Sequence, residues 1–194
     1  MMLRKLTLAA GVAAVFGMTA ASAEAQPRDF FGFAALFGSP SGTVAGTSPY
    51  PRHAVSIDPK YTPGNIVIST SQRRLFYVTA PGQAIEYGVG VGRDGFQWSG
   101  VKTVSAKKEW PSWTPPSQML KRRPDLPRYM PGGIDNPLGA RAMYLGSSLY
   151  RIHGSNEPET IGQAVSSGCI RMTNDDVTDL YNRVRVGATV YVLR

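Results

Sequence analysis

Ser166-Ser167-Gly168-Cys169-Ile170-Arg171-Met172 contains the one cysteine of this 194-residue chain, and Ile152-His153-Gly154-Ser155-Asn156 lies shortly before it. Leu149 to Ile152 reads as a strand that delivers His153 to its end. The intervening residues are numerous enough to loop out and return to Cys169. A free thiol ionises at about pH 8.5, so only a few per cent is reactive thiolate at neutral pH unless a cation or a helix N-terminus favours it. His153 supplies that cation in the simplest reading, by accepting the thiol proton. Gly168 permits close backbone approach beside the nucleophile. The N–H groups of Ser167, Gly168 and Cys169 are candidate oxyanion-hole donors. Nucleophile, base and oxyanion donors are the set needed for acyl transfer through a thioester. The competing reading makes Cys169 a small buried hydrophobe and His153 a satisfied core residue. Ser, Gly, Asn and Arg neighbours favour the chemical reading, because a core thiol keeps apolar company.

Working outward, short β-rich runs separated by turns occur at Ile66–Ser69, Leu75–Val78, Ile85–Val91, Val101–Val104, Met143–Leu145, Leu149–Ile152 and Thr189–Leu193. Such spacing predicts a mainly β domain. One helix is expected after the cysteine motif. Asn174 caps it in this reading, Asp175 and Asp176 suit its first turn, and Val177, Leu180, Tyr181 and Val184 form an apolar stripe. Gly187 lies just past its end. Residues 106–142 hold seven prolines and two tryptophans with little periodicity, which reads as a functional loop or lid. Within it, Trp110-Pro111-Ser112-Trp113-Thr114-Pro115-Pro116 either walls a groove or covers the β core.

Toward the N-terminus, Arg4 and Lys5 precede an apolar stretch from Leu6 to Ala21 and small-residue sites ending near Ala25. That is the layout of a secretory signal peptide over residues 1–25 and predicts an exported protein. Residues 26–63, rich in Gly, Pro, Ser and Thr with a Phe30-Phe31-Phe33-Phe37 cluster, read as a linker or tail. Residues 64–194 then form one catalytic domain. A lone cysteine cannot form an internal disulfide in an oxidising compartment, so the core alone must stabilise it. The net charge of +8 favours anionic partners, and export makes an envelope polymer a better candidate than nucleic acid.

Several motifs carry little. Gly90-Val91-Gly92-Arg93-Asp94-Gly95 matches G-x-G-x-x-G, yet no helix is expected to follow, so a turn between strands is the better reading. Lys121, Arg122, Arg123 and Arg128 fit a solvated loop. His53, His153 and Cys169 cannot assemble a zinc cluster, and no metal or other cofactor is called for.

Ile152-His153-Gly154-Ser155-Asn156, Ile161-Gly162-Gln163-Ala164-Val165-Ser166-Ser167-Gly168-Cys169-Ile170-Arg171-Met172 and Asn174-Asp175-Asp176-Val177 together resemble the L,D-transpeptidase catalytic domain of the YkuD type, ErfK/YbiS-like. The resemblance spans roughly Asn65 to Arg194, including the Gly92-Arg93-Asp94-Gly95 turn and Asn136-Pro137-Leu138-Gly139. It departs at Ser167, where many relatives carry Lys or His, and at Phe96-Gln97-Trp98-Ser99-Gly100, where a Thr-Pro-Thr-Gly-like turn is common.

The resemblance implies a single mainly β catalytic domain with one helix in its C-terminal region, acting in the periplasm on peptidoglycan stem peptides. Cys169 would attack the third residue of a tetrapeptide donor and expel D-alanine, and the amine of a diamino-acid acceptor would resolve the thioester as a 3→3 cross-link. His153 would be the base, oriented by the Gly154 carbonyl. Arg171 would hold a stem carboxylate or else pair with Asp175 or Asp176. Trp113, Tyr144 and Asn136 are candidate substrate-binding residues, with packing or turn formation as the alternative for the last two. Carbapenem-type β-lactams are expected inhibitors. Three alternatives remain: water as acceptor, giving a carboxypeptidase or endopeptidase; a lysine of an envelope lipoprotein as acceptor; and a non-catalytic wall-binding module.

Overall fold

β-Branched and aromatic residues favour pleated, half-buried surfaces, and the chain pairs them into eleven short strands: β1 (His53–Ser56), β2 (Ile66–Ser69), β3 (Arg74–Ala80), β4 (Gln83–Gly88), β5 (Val91–Gly92), β6 (Gly100–Glu109), β7 (Arg141–Leu145), β8 (Arg151–His153), β9 (Ala164–Ser166), β10 (Ile170–Arg171) and β11 (Thr189–Leu193). Helices α1 (Ser117–Arg122) and α2 (Asn174–Arg183) complete the regular structure, with a single 3₁₀ turn at Pro158–Thr160. This computed structural model describes residues 48–194. The expected signal peptide, the phenylalanine cluster and residues 26–47 of the expected linker lie outside the described residues.

Nine strands form one sheet in the order β1-β4-β3-β2-β11-β6-β7-β8-β10, and β5 pairs with β9 in a small second sheet. The last strand lies in the middle. β11 runs parallel to β2, with Val190 opposite Ile66, and antiparallel to β6, with Thr189 opposite Thr103. β10 runs parallel to β8, which sets Arg171 beside His153.

The main core gathers Ile66, Ile68, Leu75, Tyr87, Val104, Met143, Leu145, Ile152 and Val190 from the sheet with Val177, Leu180 and Val184 from the helical segment. Val67, on the opposite face of β2, packs with Tyr61 and Val78 in a smaller cluster. β2 is thus covered on both sides, which explains its unbroken Ile-Val-Ile run.

The segment 48–63, assigned above to the linker, contains β1, paired with β4 from His53 opposite Glu86 to Ser56 opposite Gln83. Its side chains are mostly exposed, so it needs backbone pairing rather than apolar content. An edge strand of that kind leaves little trace in composition.

Helix α2 is capped one residue earlier than expected. Thr173 Oγ1 accepts from the Asp176 N–H at 3.2 Å, the usual N-cap arrangement. Asn174 is released to bind elsewhere: its Oδ1 accepts from the Ala140 N–H at 2.9 Å. At the other end, Lys107 Nζ donates to the carbonyls of Tyr181 and Val184 at 2.5 and 2.6 Å. A cation there complements the helix dipole.

The Pro-rich stretch is shorter and more ordered than its composition predicts. β6 runs on to Glu109, α1 occupies 117–122, and Trp113 bridges to Met130 with reciprocal backbone hydrogen bonds of 2.8 Å.

Candidate active site

His153 ends β8 and is buried, whereas Cys169 lies in the turn between β9 and β10 and is half-exposed. Both line a cavity of about 400 Å³ with Ser166, Ser167, Arg151, Arg171, Trp113, Tyr150 and Leu138 among its walls. The parallel pairing of β8 with β10 is what returns the chain to His153 after the intervening loop.

His153 Nδ1 lies 2.6 Å from the Gly154 carbonyl oxygen. An N–H at Nδ1 donating there leaves Nε2 as the unprotonated nitrogen, the tautomer a base requires. Burial pushes the imidazole down to about 3, with the Arg171 and Arg151 charges adding to the depression and the Gly154 carbonyl opposing it. Burial also pushes the Cys169 thiol up, against the opposing pull of Arg151 and Arg171. The resting pair is therefore a neutral imidazole and a neutral thiol. Both shifts oppose the imidazolium expected from the sequence, since burial and the Arg171 and Arg151 charges disfavour a charged ring.

The cysteine turn is built tightly. Gly168 has φ +107°, and a Cβ there would meet Tyr150 Cε1 at 2.6 Å. Only glycine fits. Its carbonyl accepts from Trp98 Nε1 at 2.8 Å, and Trp98 stacks on Tyr150 with ring centroids 4.4 Å apart. Ser166 Oγ accepts from the Gly168 N–H at 3.1 Å and donates to the Cys169 carbonyl at 2.6 Å. Gly168 is thereby removed from the expected oxyanion-hole donors, since its N–H is already engaged inside the turn. The Ser167 and Cys169 N–H groups are left as donors, with no acceptor among the described backbone hydrogen bonds.

Four further candidates divide evenly. Trp113 and Arg171 line the cavity; Tyr144 and Asn136 do not. Asn136 is buried and satisfied within its own loop, donating from Nδ2 to the Pro131 carbonyl at 2.8 Å and accepting from the Leu138 N–H at 2.9 Å. Tyr144 sits on β7 beneath the guanidinium of Arg151, 5.3 Å from its ring centroid. Arg171 is paired, but with neither aspartate: Nη1 donates to Glu157 Oε2 at 2.8 Å. Asp176 is taken instead by Arg52 at 3.1 Å.

Sequence reasoning missed Ser166, Trp98, Tyr150 and Arg151. The unusual Phe96–Gly100 turn was the available signal for Trp98, since an aromatic there needs a partner. Nothing in the sequence marks Arg151 beyond its place two residues before His153.

The YkuD family, L,D-transpeptidase catalytic domain, matches residues 63–192. "Probable L,D-transpeptidase ErfK/SrfK" of Escherichia coli is 39% identical over 137 residues, covering 66% of this chain and 43% of that protein. The chain thus spans less than half the length of the curated relative it matches. A crystal structure described as a probable carnitine operon oxidoreductase from Brucella melitensis is 42% identical, with TM-score 0.52, over 73% of this chain and 92% of that one. L,D-transpeptidase 3 from Mycobacterium tuberculosis, solved with a faropenem-derived adduct, shares the fold at TM-score 0.52 and 22% identity, over 66% of this chain and 59% of that one.

Proposed function

The chain belongs to the YkuD family of L,D-transpeptidase catalytic domains, and from that premise we propose that it is a periplasmic peptidoglycan L,D-transpeptidase working through a Cys169 thioester. The observation that carries the proposal is the placement of Cys169 and a tautomerically fixed His153 on one cavity.

In this reading His153 Nε2 takes the thiol proton as Cys169 Sγ attacks the carbonyl of the third residue of a tetrapeptide donor. Because the resting pair is neutral, proton transfer accompanies attack rather than preceding it. The Cys169 and Ser167 N–H groups stabilise the oxyanion. The C–N bond then breaks, and the imidazolium returns its proton to the departing D-alanine amine. An amine of a second stem attacks the thioester, His153 removes its proton, and the thiol is regenerated as the 3→3 link forms. Diaminopimelate or a similar diamino acid supplies that acceptor. Residues 1–25 serve as the signal peptide that delivers the enzyme to the envelope.

Water or a lipoprotein lysine in place of the stem amine would use the same acyl-enzyme. A purely wall-binding role fits less well, because it gives no use to a tautomerically fixed imidazole and a thiol on one cavity. An oxidoreductase reading, named for one relative, would draw on the G-x-G-x-x-G run. That run leads through β5 and a turn into β6, with no helix N-terminus to receive a pyrophosphate.

Intact-mass measurement after incubation with a carbapenem or a penem tests the nucleophile. The wild type should gain the mass of one acylating drug, and Cys169→Ala should gain none. An unmodified wild type with a thiol inert to alkylating agents would contradict the assignment.

A further inference from the structure

Arg171 was a candidate to hold a stem carboxylate or to pair with Asp175 or Asp176, but its guanidinium is already held by Glu157 and reaches Thr160 Oγ1 at 3.5 Å. Arg151 also lines the cavity, and none of the ion pairs among the described residues includes it. Its one hydrogen bond there runs from Nη1 to the Leu149 carbonyl at 3.2 Å, and its buried Nε has no partner. Cys169 Sγ approaches the same Leu149 oxygen at 3.8 Å. The guanidinium nitrogen and the sulfur are therefore within about 7 Å of one another.

A half-buried cation with no anion among the described residues, beside a nucleophile, is an incomplete ion pair. Desolvation makes it costly unless a ligand completes it. We propose that Arg151 is the specificity-determining residue of this site, holding a carboxylate of the donor stem that lies next to the scissile carbonyl. The inference rests on the transpeptidase reading for the identity of the donor.

The reach is right. In a near-attack arrangement the carbonyl carbon stands about 3–3.5 Å from Sγ. The carboxylate of the leaving D-residue follows three bonds later, on the order of 3–4 Å further. The Arg151 fork, no farther than about 7 Å from Sγ, lies in the same shell around the sulfur. Arg122, the other cavity-wall arginine outside the ion pairs of the described residues, is solvent-exposed and faces the Phe96 ring, so its charge is screened. Stacking over Tyr144 keeps the Arg151 plane oriented. A stem offers two such carboxylates, on the terminal D-alanine and on the side chain of a dicarboxylic third residue.

The test compares kcat/KM, read by mass spectrometry of products, for three tetrapeptide donors: the free acid, its C-terminal amide, and the free acid with lysine at the third position. Wild type, Arg151→Gln and Arg151→Lys are assayed in parallel, with thermal melts to verify folding. Wild type should lose about 10–100-fold on whichever donor lacks the bound carboxylate. Arg151→Gln should erase that preference, and Arg151→Lys should restore part of it. The donor that shows the loss identifies which carboxylate is held.

A preference that persists in folded Arg151→Gln overturns the proposal. So does an equal loss on all three donors, or a shifted pH midpoint of Cys169 alkylation with the preference intact, which would make Arg151 a partner of the thiol. Calorimetric binding of the same peptides to Cys169→Ala and to Cys169→Ala/Arg151→Gln separates the two claims. A carboxylate preference in binding without turnover by the wild type sinks the transpeptidase reading alone. Absence of both sinks the clamp as well.

Discussion

At Cys169 and His153 the decisive force is desolvation. Burial raises the thiol and lowers the imidazole, and both shifts oppose a thiolate–imidazolium pair. Three predictions belong to this scale. Alkylation of the resting enzyme by iodoacetamide should rise with a midpoint above the ordinary cysteine value of about 8.5; a midpoint below about 7 would mean that an ion pair forms before substrate arrives. The second concerns stability. The folded state holds His153 neutral down to about 3, while the unfolded chain protonates it below about 6.5, so the unfolded state binds the extra proton and stability falls as pH drops between those values. His153→Gln should flatten the decline in Tm between about pH 6 and 4. An unchanged slope would place the acid-sensitive group elsewhere. For chemistry, His153→Ala should slow acylation by about 10²–10⁴-fold without unfolding the domain, and near-wild-type acylation would remove His153 from the base role.

The elements around the site are joined by polar clamps that a sequence shows as ordinary helix-start residues. Asn174 reads as a cap, yet Thr173 caps and Asn174 fastens the end of the Pro-rich loop to α2 through Ala140. Gly139 and Gly154 lie so close to Asn174 Oδ1 that a Cβ at either would collide with it. Asn174→Ala should leave the Ala140 N–H unsatisfied and destabilise the domain by about 1–3 kcal/mol, measured by urea unfolding. A change under about 0.5 kcal/mol, the range of neutral surface substitutions, would mean that the loop is held by other contacts. A thiol and an imidazole in polar surroundings pointed to the two residues that line one cavity. The strand runs and α2 were legible because each has a local signature, β-branched runs and an apolar stripe with acidic first-turn residues. β1, α1 and the donors at Ser166 and Arg151 were not. Their places depend on partners distant in sequence, Glu86 across β4 for His53, or on a neighbouring carbonyl oriented by the fold, such as Leu149 O for Arg151.

At the scale of the whole domain, sheet order ties the site to the chain's end. β11 is the central strand, sealing β2 to β6 and contributing Val190 and Val192 to the core. Truncation after Ala188 should therefore prevent cooperative folding rather than trim an edge, as read by loss of the thermal transition and of amide protection. A truncated chain that still melts cooperatively would contradict the order. Strands β1–β4 contribute nothing to the cavity lining, which comes from β8, β9, β10, α1 and the loops around them.

The proposed chemistry requires Cys169 to transfer an acyl group between stem peptides. Purified disaccharide-tetrapeptide, incubated with the enzyme and resolved by mass spectrometry, tests it most directly. Dimers that have lost one D-alanine should form with the wild type and not with Cys169→Ala. Unchanged tetrapeptide monomers with an active, folded control preparation, or dimers formed equally by Cys169→Ala, would contradict it.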